Sequence, residues 1–413
     1  MAQNYVGSNN VNLLIPSGQF GTRLKGGDDS ASERYIFTAL NKITRCIFPV
    51  LDDNVLTYLK DDGTSVEPIF YAPIIPMVLV NGSKGIGTGF STDIMCYNPI
   101  EIIDCLKMKL NDTYIETEFV PYYEGFIGSI QKMTDQKYLI KGKYEKIDAD
   151  KIRVVELPVG FWTDDFKELL ENLIDPGLDK TGKKIVNVVK DYQDMSKDTT
   201  VEFTITFVKG QLDVMEASVD ENGCNGTEKL LKLYTTNTNT NMHLFDANDK
   251  LKKYKTVIEI IDDYFVTRLE LYAKRKDYMI KALENELLLL KNKAKYIQEN
   301  LDGTIDLRKK TKECVSNLLK DKNYEVIDGD ADYKYLTKMT MDSVTKENVN
   351  RLFLEHENKI VELNIVKNTT THEMWLNELE KLRAEYLKYK EDRQRPDTKI
   401  LKKKIVAKTK TKL

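Results

Sequence analysis

The chain has 413 residues, of which 41% are hydrophobic and 31% charged, with a formal net charge of −3. That length supports two or three domains with a sizeable core, and no apolar run is long enough to span a bilayer. The opening residues lack a basic region followed by an apolar core, which argues against a secretory signal peptide.

Cys46, Cys96, Cys105, Cys224 and Cys314 are scattered and odd in number. They fit a reducing compartment better than a disulfide scaffold. With only His243, His356 and His372 and no CxxC, a zinc site is not expected. Asn225-Gly-Thr would be a glycosylation sequon only in a secreted protein.

In chain order, residues 1 to about 70 mix short apolar runs with glycine-rich loops, above all Gln19 to Gly27. Tyr35 to Val50 reads as a helix closed by Pro49. Ile74 to Val80 reads as a buried strand interrupted at Pro76, and Pro99 to Leu106 as a helix with proline near its start.

From about 119 to 215 the pattern turns to strands around Tyr138, Lys151 to Leu157, and Val201 to Val208. Thr163 followed by acidic residues predicts a capped helix over 163–173. Residues 256–300 contain no proline or glycine, and Ile261, Phe265, Leu269, Tyr272 and Met279 recur at helical spacing. A single helix there would be roughly 67 Å long. Residues 345–394 behave similarly, with Trp375, Leu379, Leu382 and Tyr386 marking an apolar seam and Thr369 to Thr371 a break. Two such helices predict an antiparallel coiled coil, with a small polar region, Asp302 to Met341, between them. A structural stalk alone would share this pattern.

The tail beyond Pro396 carries Lys399, Lys402, Lys403, Lys404, Lys408, Lys410 and Lys412 against Asp397 alone. Such a tail holds DNA phosphates, serves as a targeting address, or is a solubilising disordered end.

The residues with chemical potential cluster early. Tyrosine is a poor nucleophile as a phenol, with a reference pKa of about 10, and attacks DNA only where cations stabilise charge on the phosphate. A phosphotyrosyl bond conserves the energy of the backbone bond, so the strand can be resealed. Arg34 beside Tyr35, and Arg23 nearby, have the donor geometry for phosphate oxygens. Lys25 and the backbone of Gly26 and Gly27 add positive charge with little bulk. By itself an Arg-Tyr pair is common, and taken alone it favours a Tyr35 partly buried at a helix start.

Asn81 to Gly89 is not a P-loop, which needs Lys followed by Ser or Thr after its last glycine. Gly85, Gly87 and Gly89 also miss the dinucleotide spacing. A tight loop exposing Ile86 beside Lys84 could unstack base pairs as an aliphatic wedge, while an ordinary buried isoleucine in a turn has the same sequence.

Together these segments resemble eukaryotic-type DNA topoisomerase II, including forms carried by large DNA viruses. The resembling blocks are Gln3 to Leu14, Gly18 to Gly27, Asp29 to Ser32, Arg34 to Thr38, Pro73 to Gly82, Gly85 to Ser91, Glu156 to Val159 with Trp162-Thr163, Lys252 to Val257, and Leu269 to Arg275. The resemblance covers the chain to about residue 390.

It implies a multidomain α+β architecture. Residues 1–70 would end a truncated winged-helix domain, 71–252 would form an α/β tower domain, 253–395 an antiparallel coiled coil with a small helical exit gate, and 396–413 a basic disordered tail. It implies that Tyr35 is the DNA-cleaving nucleophile, Arg34 its phosphate contact and Ile86 the intercalating wedge, with Arg23, Lys25, Gly26, Gly27 and Lys84 at the DNA. Mg²⁺ and ATP would bind in domains absent from the chain, and no metal site is expected within it.

The implied partners are double-stranded DNA, a second copy through the exit gate, and a polypeptide or upstream region carrying the ATPase and metal-binding cleavage domains. No membrane is implied. The setting would be the nucleus, or a cytoplasmic replication site for a viral form. Two readings follow: part of an ATP-dependent type II topoisomerase, or a catalytically silent DNA-binding and dimerisation module.

Overall fold

A computed structural model of the chain describes residues 1–177, 187–307, 310–327, 329–340 and 344–394. The expected basic tail lies outside the described residues. The chain divides into two compact units: Met1–Pro49, Ala72–Thr267 and Glu378–Leu413 form one, Val50–Tyr71 and Arg268–Asn377 the other.

The elements follow in order: β1 (Leu14–Ser17), β2 (Phe37–Leu40), α1 (Thr44–Ile47), β3 (Tyr58–Asp61), β4 (Thr64–Pro68), α2 (Met77–Val80), β5 (Ser83–Ile86), β6 (Ser91–Ile94) and α3 (Pro99–Leu110). Then come β7 (Ser129–Thr134), β8 (Lys137–Lys141), β9 (Lys143–Asp148), β10 (Lys151–Glu156), α4 (Thr163–Ile174), β11 (Val189–Asp194) and β12 (Phe203–Phe207). After α5 (Gln211–Ala217), α6 (Gly226–Leu230), β13 (Tyr234–Thr238), β14 (Met242–Phe245) and β15 (Leu251–Tyr254), the chain is helical: α7 (Val257–Leu301), α8 (Lys312–Asp321), α9 (Lys334–Thr337), α10 (Lys346–Asn368) and α11 (Thr371–Gln394).

In the first unit, the sheet β11-β12-β10-β9 is antiparallel throughout. Alternate residues Ile152 and Val154 of β10, and Phe203, Ile205 and Phe207 of β12, point inward onto Phe166 and Leu170 of α4. This is the period-two burial that the sequence predicts for those strands. A second antiparallel sheet, β13-β8-β7, packs Ile140 with Cys96 and Tyr123.

Three local expectations are corrected. Tyr35 to Val50 is not one helix: Glu33–Tyr35 is a 3₁₀ turn, Phe37–Leu40 pairs with Leu14–Ser17, and only Thr44–Ile47 is helical. Strand pairing with a distant segment overrides local helical spacing there. Ile74 to Val80 is not a strand, since the residues after Pro76 make one helical turn. Its apolar run reflects burial of Ile74, Ile75, Leu79 and Val80 rather than extended backbone. Thr163 does not cap α4; Trp162 holds the capping position without a side-chain bond, although Asp164 and Asp165 do occupy the first turn.

Asn10 is the hub of the first unit's opening segment. Its side-chain amide donates to the carbonyls of Val80 (2.9 Å), Tyr97 (3.2 Å) and Tyr122 (3.0 Å), and its oxygen accepts from the Glu124 N–H (2.8 Å). Arg393, near the end of α11, donates to the carbonyls of Asn4, Asn9 and Asn10. The buried carboxylate of Glu124 accepts from Tyr122 and Tyr386 and lies 3.5 Å from Lys390.

In the second unit α7 and α10 pair antiparallel. Leu283 packs with Leu363 and Val366, while Ala294 and Ile297, further along α7, pack with the earlier Val349 and Leu352. Lys359–Glu286 (3.1 Å) and Lys367–Glu284 (2.8 Å) flank the seam. The expected break falls at Thr369-Thr370. There Thr370 and Glu373 form reciprocal capping bonds, a Thr-x-x-Glu signature visible in the sequence.

The expected seam on α11 is buried at Trp375, Leu379, Leu382 and Tyr386; it begins with Trp375 stacked on Tyr272 of α7, but its later residues leave the coiled coil. Lys107 pairs with Glu380, Arg383 with Asp104, and Tyr386 bonds Glu124, so this helix face meets α3 and the 122–124 segment. Between α7 and α10, Tyr296, Ile305, Leu319, Tyr324, Tyr333 and Leu336 build a small separate core.

The second unit also buries Asp52, with Arg268 at 2.8 Å and Arg275 at 3.2 Å. Both guanidiniums pack over Tyr272, which stacks on Trp375 at 5.4 Å. Neutralising Asp52 removes the charge that two buried cations face, so Asp52→Asn should lower stability by about 3 kcal/mol. Urea unfolding monitored by circular dichroism checks this, and a midpoint unchanged from wild type would refute it.

Candidate functional site

The residues singled out around Tyr35 are held by a folded glycine-rich segment. Asp29 organises it, accepting from the Thr22 N–H (2.8 Å), the Thr22 hydroxyl (2.5 Å) and the Gln19 amide (3.2 Å). Burial pushes the Asp29 carboxyl up, but these bonds outweigh it and leave the group below its ordinary range. Its stabilising contribution is therefore present above the ordinary carboxylate pKa and is lost as pH falls through the depressed one.

Gly26 has φ +62° and lies so close to the Trp162 ring that a Cβ there would fall 2.2 Å from it. No side chain fits, and the segment is thereby pinned to the loop before α4. Gly27 likewise abuts Gln3 and Tyr5. Arg23 is 3% exposed, and its guanidinium bonds the Glu156 carboxylate and the Leu157 carbonyl (3.2 Å). Of the basic residues expected here, Arg23 thus faces the interior, because an unpaired Glu156 would be too costly to bury. Lys25 reaches outward, its side chain 58% exposed and 3.9 Å from Asp164.

This anchored segment leads into the 3₁₀ turn Glu33–Tyr35. Gly18, at φ +112°, lies within 3.3 Å of the Tyr35 carbonyl by its would-be Cβ, so the turn rests directly on the β1 side of the ribbon. Tyr35 is 66% exposed, and the Arg34 guanidinium lies 5.1 Å from its ring centroid. A phenol and a cation are thus presented side by side to solvent, an arrangement suited to an anionic ligand.

Ile86 sits at the end of β5, where Ile86 pairs with Ser91 across the loop Gly87 to Phe90. It is 94% exposed. The hairpin is braced from behind: Phe90 packs edge-on against Phe245, and Asn241 bonds Ser91 and Asp93. An aliphatic side chain held this far into solvent on a braced turn contributes little to folding. Ile86→Ala should change stability by less than about 0.5 kcal/mol. Lys84, on the same strand face, is 84% exposed and 3.5 Å from Asp93.

Burial pushes the thiols of Cys96 and Cys105 up to about 12 and about 11, which leaves them as core residues rather than nucleophiles. Asn225, the sequon residue, caps α6 in a reciprocal box with Glu228. Among the described residues no group of three or more His, Cys, Asp or Glu is placed to hold a metal ion.

Sequence reasoning missed Asn10, Glu156 as the partner of Arg23, and the Asp52–Arg268–Arg275 cluster. Their signals, one asparagine among several near the start and charged residues far apart in the chain, become meaningful only once the segments meet.

The fold and this surface define a multidomain α+β protein with a helical stalk and an exposed Arg-Tyr pair. The chain belongs to the DNA gyrase/topoisomerase IV A-subunit family, whose model matches residues 1–380. It is 39% identical to DNA topoisomerase 2 of Arabidopsis thaliana, over 93% of this chain and 28% of the plant protein. It is 37% identical to the mitochondrial DNA topoisomerase 2 of Dictyostelium discoideum, over 94% of this chain and 29% of that protein. The crystal structure of the Plasmodium falciparum topoisomerase II DNA-binding, cleavage and re-ligation domain superposes with a TM-score of 0.83 at 38% identity, covering 95% of this chain and 54% of that one. The similarity is therefore to the eukaryotic topoisomerase II breakage-reunion region, and the chain spans under a third of the length of these curated relatives.

Proposed function

We propose that this chain forms part of an ATP-dependent type II DNA topoisomerase and carries its strand-cleaving tyrosine. In this reading the Tyr35 Oη attacks a backbone phosphorus. The new O–P bond links tyrosine to the 5′ end as the phenol gives up its proton, the P–O3′ bond breaks, and the freed 3′ oxygen takes up a proton. Religation reverses each change. Arg34 holds the phosphate oxygens. The observation that carries the reading is the solvent-exposed Tyr35 with the Arg34 guanidinium beside it, in a chain of this family.

Under the same reading, residues 1–70 belong to a winged-helix domain, 71–252 to a tower domain and 253–395 to the coiled coil and exit gate. The tail from 396 adds basic contacts. Ile86 is the wedge that bends the duplex. Lys25 and Lys84 face DNA, whereas Arg23, Gly26 and Gly27 shape the segment that carries Tyr35. A second copy joins through the helical end, a role supported by the exposed apolar stripe Leu354, Val361 and Ile365 on α10. ATP and Mg²⁺ act in regions of the complete enzyme outside this chain. The setting is the nucleus, or a cytoplasmic replication site for a viral form.

The wedge role has its own test. Ile86→Ala should bind a duplex of roughly 20–30 base pairs, the length of a bent site, but bend it less, read as a smaller change in end-to-end fluorescence transfer. Full bending by the variant would remove Ile86 from the mechanism.

A second reading is a silent DNA-binding and dimerisation module, favoured by the intact antiparallel stalk of α7 and α10. The two separate on one measurement. Denaturant quenching of a mixture with a polypeptide carrying the ATPase and metal-binding domains traps a DNA adduct on Tyr35 in the first case and none in the second.

A further inference from the structure

The second unit holds a cavity of about 420 Å³ whose lining carries four cations from three stretches of chain: Lys293 of α7, Lys334 of α9 with Lys338 just after it, and Arg351 of α10. Among the described residues no carboxylate lines it. We propose that this cavity is a binding site for a compact polyanion, a molecule that carries several phosphates close together. The inference goes beyond the strand-cleaving reading and does not rest on it.

The cavity is built like a small-molecule site. Part of its lining is apolar: Leu352 is buried in the α7–α10 seam with Ala294 and Ile297, and Met339 packs against the same cluster. The Tyr335 ring is fixed in the lining because its hydroxyl donates to the Glu325 carbonyl (2.7 Å) and accepts from the Asn292 amide (3.1 Å). A hollow of this size, with apolar walls and a few convergent polar groups, suits one small ligand. A duplex backbone asks instead for cations spread along it, one for each phosphate neutralised.

The fold also leaves this charge uncompensated inside the cavity. Lys334 and Lys338 stand four residues apart, about 6 Å along a helical turn, and like charges at that spacing repel. Lys293 is half-buried. Among the described residues neither Lys293 nor Lys338 pairs with a carboxylate. Arg351 is steered into place by Asn348, in the first turn of α10, whose Oδ1 accepts from its Nε (3.3 Å) and Nη2 (2.8 Å). Carboxylates border the site without lining it: Asp330 (3.7 Å) and Asp332 (3.2 Å) lie beside Lys334, and Glu355 lies 3.9 Å from Arg351. They repel a long anionic rod laid across the surface, while the cavity itself stays cationic.

The test titrates inorganic tripolyphosphate into the full chain by calorimetry, and one tight site per chain is expected. Lys293→Gln with Lys338→Gln removes two of the four charges. It should weaken binding about tenfold or more, the effect of losing a hydrogen bond to a charged group. Lys338→Glu reverses a single charge and should weaken binding at least as much. Lys338 is exposed, so that variant should unfold at the wild-type temperature even if the double variant does not. Lys281→Gln is the control. It removes an exposed charge of α7 about 18 Å along the helix from Lys293, beyond the screening length of about 8 Å at about 0.15 M salt, and should leave the affinity unchanged.

Adenosine triphosphate, titrated in the same way, distinguishes two sources of the phosphates. An affinity no greater than that of tripolyphosphate means that the phosphates alone are read, and a greater one adds the nucleoside to what the site recognises. Undiminished binding in both cavity variants, or an equal loss in Lys281→Gln, places the anion elsewhere on the chain and overturns the site. No saturable binding by wild type overturns it outright. A duplex that displaces tripolyphosphate one for one, and binds Lys338→Glu more weakly than wild type, overturns the small-anion assignment in favour of nucleic acid. Tyr35→Phe, which tests the cleaving role, should change none of these results.

Discussion

Tyr35→Phe is expected to abolish DNA cleavage and supercoil relaxation by the assembled enzyme, a loss of at least about 10³-fold, as for removal of any nucleophile that forms a covalent intermediate. The substitution removes one oxygen from a side chain that is 66% exposed. Stability should therefore stay within about 0.5 kcal/mol of wild type, and binding of uncut duplex should persist. The assay mixes the chain with a polypeptide supplying the ATPase and metal-binding domains, ATP and Mg²⁺, and measures both relaxation and the trapped protein–DNA adduct. Undiminished relaxation by the phenylalanine variant would falsify the role of Tyr35. Arg34→Ala separates the partners further. It keeps the nucleophile but removes the cation 5.1 Å from its ring, so adduct formation should slow without duplex affinity falling in proportion.

The largest effect on stability is expected at Asn10. Its side chain satisfies three carbonyls and one N–H from three separate stretches of chain, and Asn10 itself is 2% exposed. Alanine offers none of these bonds. A buried backbone group left unpaired costs about 1–3 kcal/mol, so Asn10→Ala should destabilise the first unit by at least about 4 kcal/mol. Asn10→Asp keeps the acceptor for the Glu124 N–H but brings a carboxylate against three carbonyl oxygens, and should be no better. Denaturant unfolding of the chain, followed by the near-ultraviolet signal of Trp162, reads the change. A loss below about 1 kcal/mol would mean that water or a shifted loop takes over the four bonds.

Asn10 and Tyr35 also show why two motifs of similar specificity have different physical meanings. The Gly7-Ser-Asn-Asn10 loop is a structural fastener: Asn10 ties the opening segment to the carbonyls of distant chain, while Asn9 bonds back to the Gln3 carbonyl. Gln19 to Gly27 looks like a phosphate cradle in sequence, yet its glycines exist to let backbone lie against Trp162 and Tyr5. Its arginine is spent on Glu156. Left exposed are Lys25 and, beyond the segment, Arg34 and Tyr35.

Elements whose physics is local were legible from the order of residue types alone. The 45-residue α7 is legible because nothing in it breaks a helix. The Thr370–Glu373 break is legible as a capping box, and the strands β10 and β12 as alternating apolar residues. The family was legible too, through blocks such as Gln3 to Leu14 and Gly18 to Gly27 that resemble it. Where pairing between distant segments overrules local preference, the outcome appears only in the folded chain. The ribbon after Tyr35 is a strand because Leu14–Ser17 lies beside it, and the α11 seam faces α3 because Asp104, Lys107 and Glu124 await it there. The same holds for which charges face out: Arg23 and Lys25 are two residues apart in sequence, but only one has a buried carboxylate opposite. Burial and long-range partners are properties of the assembled chain, and a local reading of residue types has no access to them.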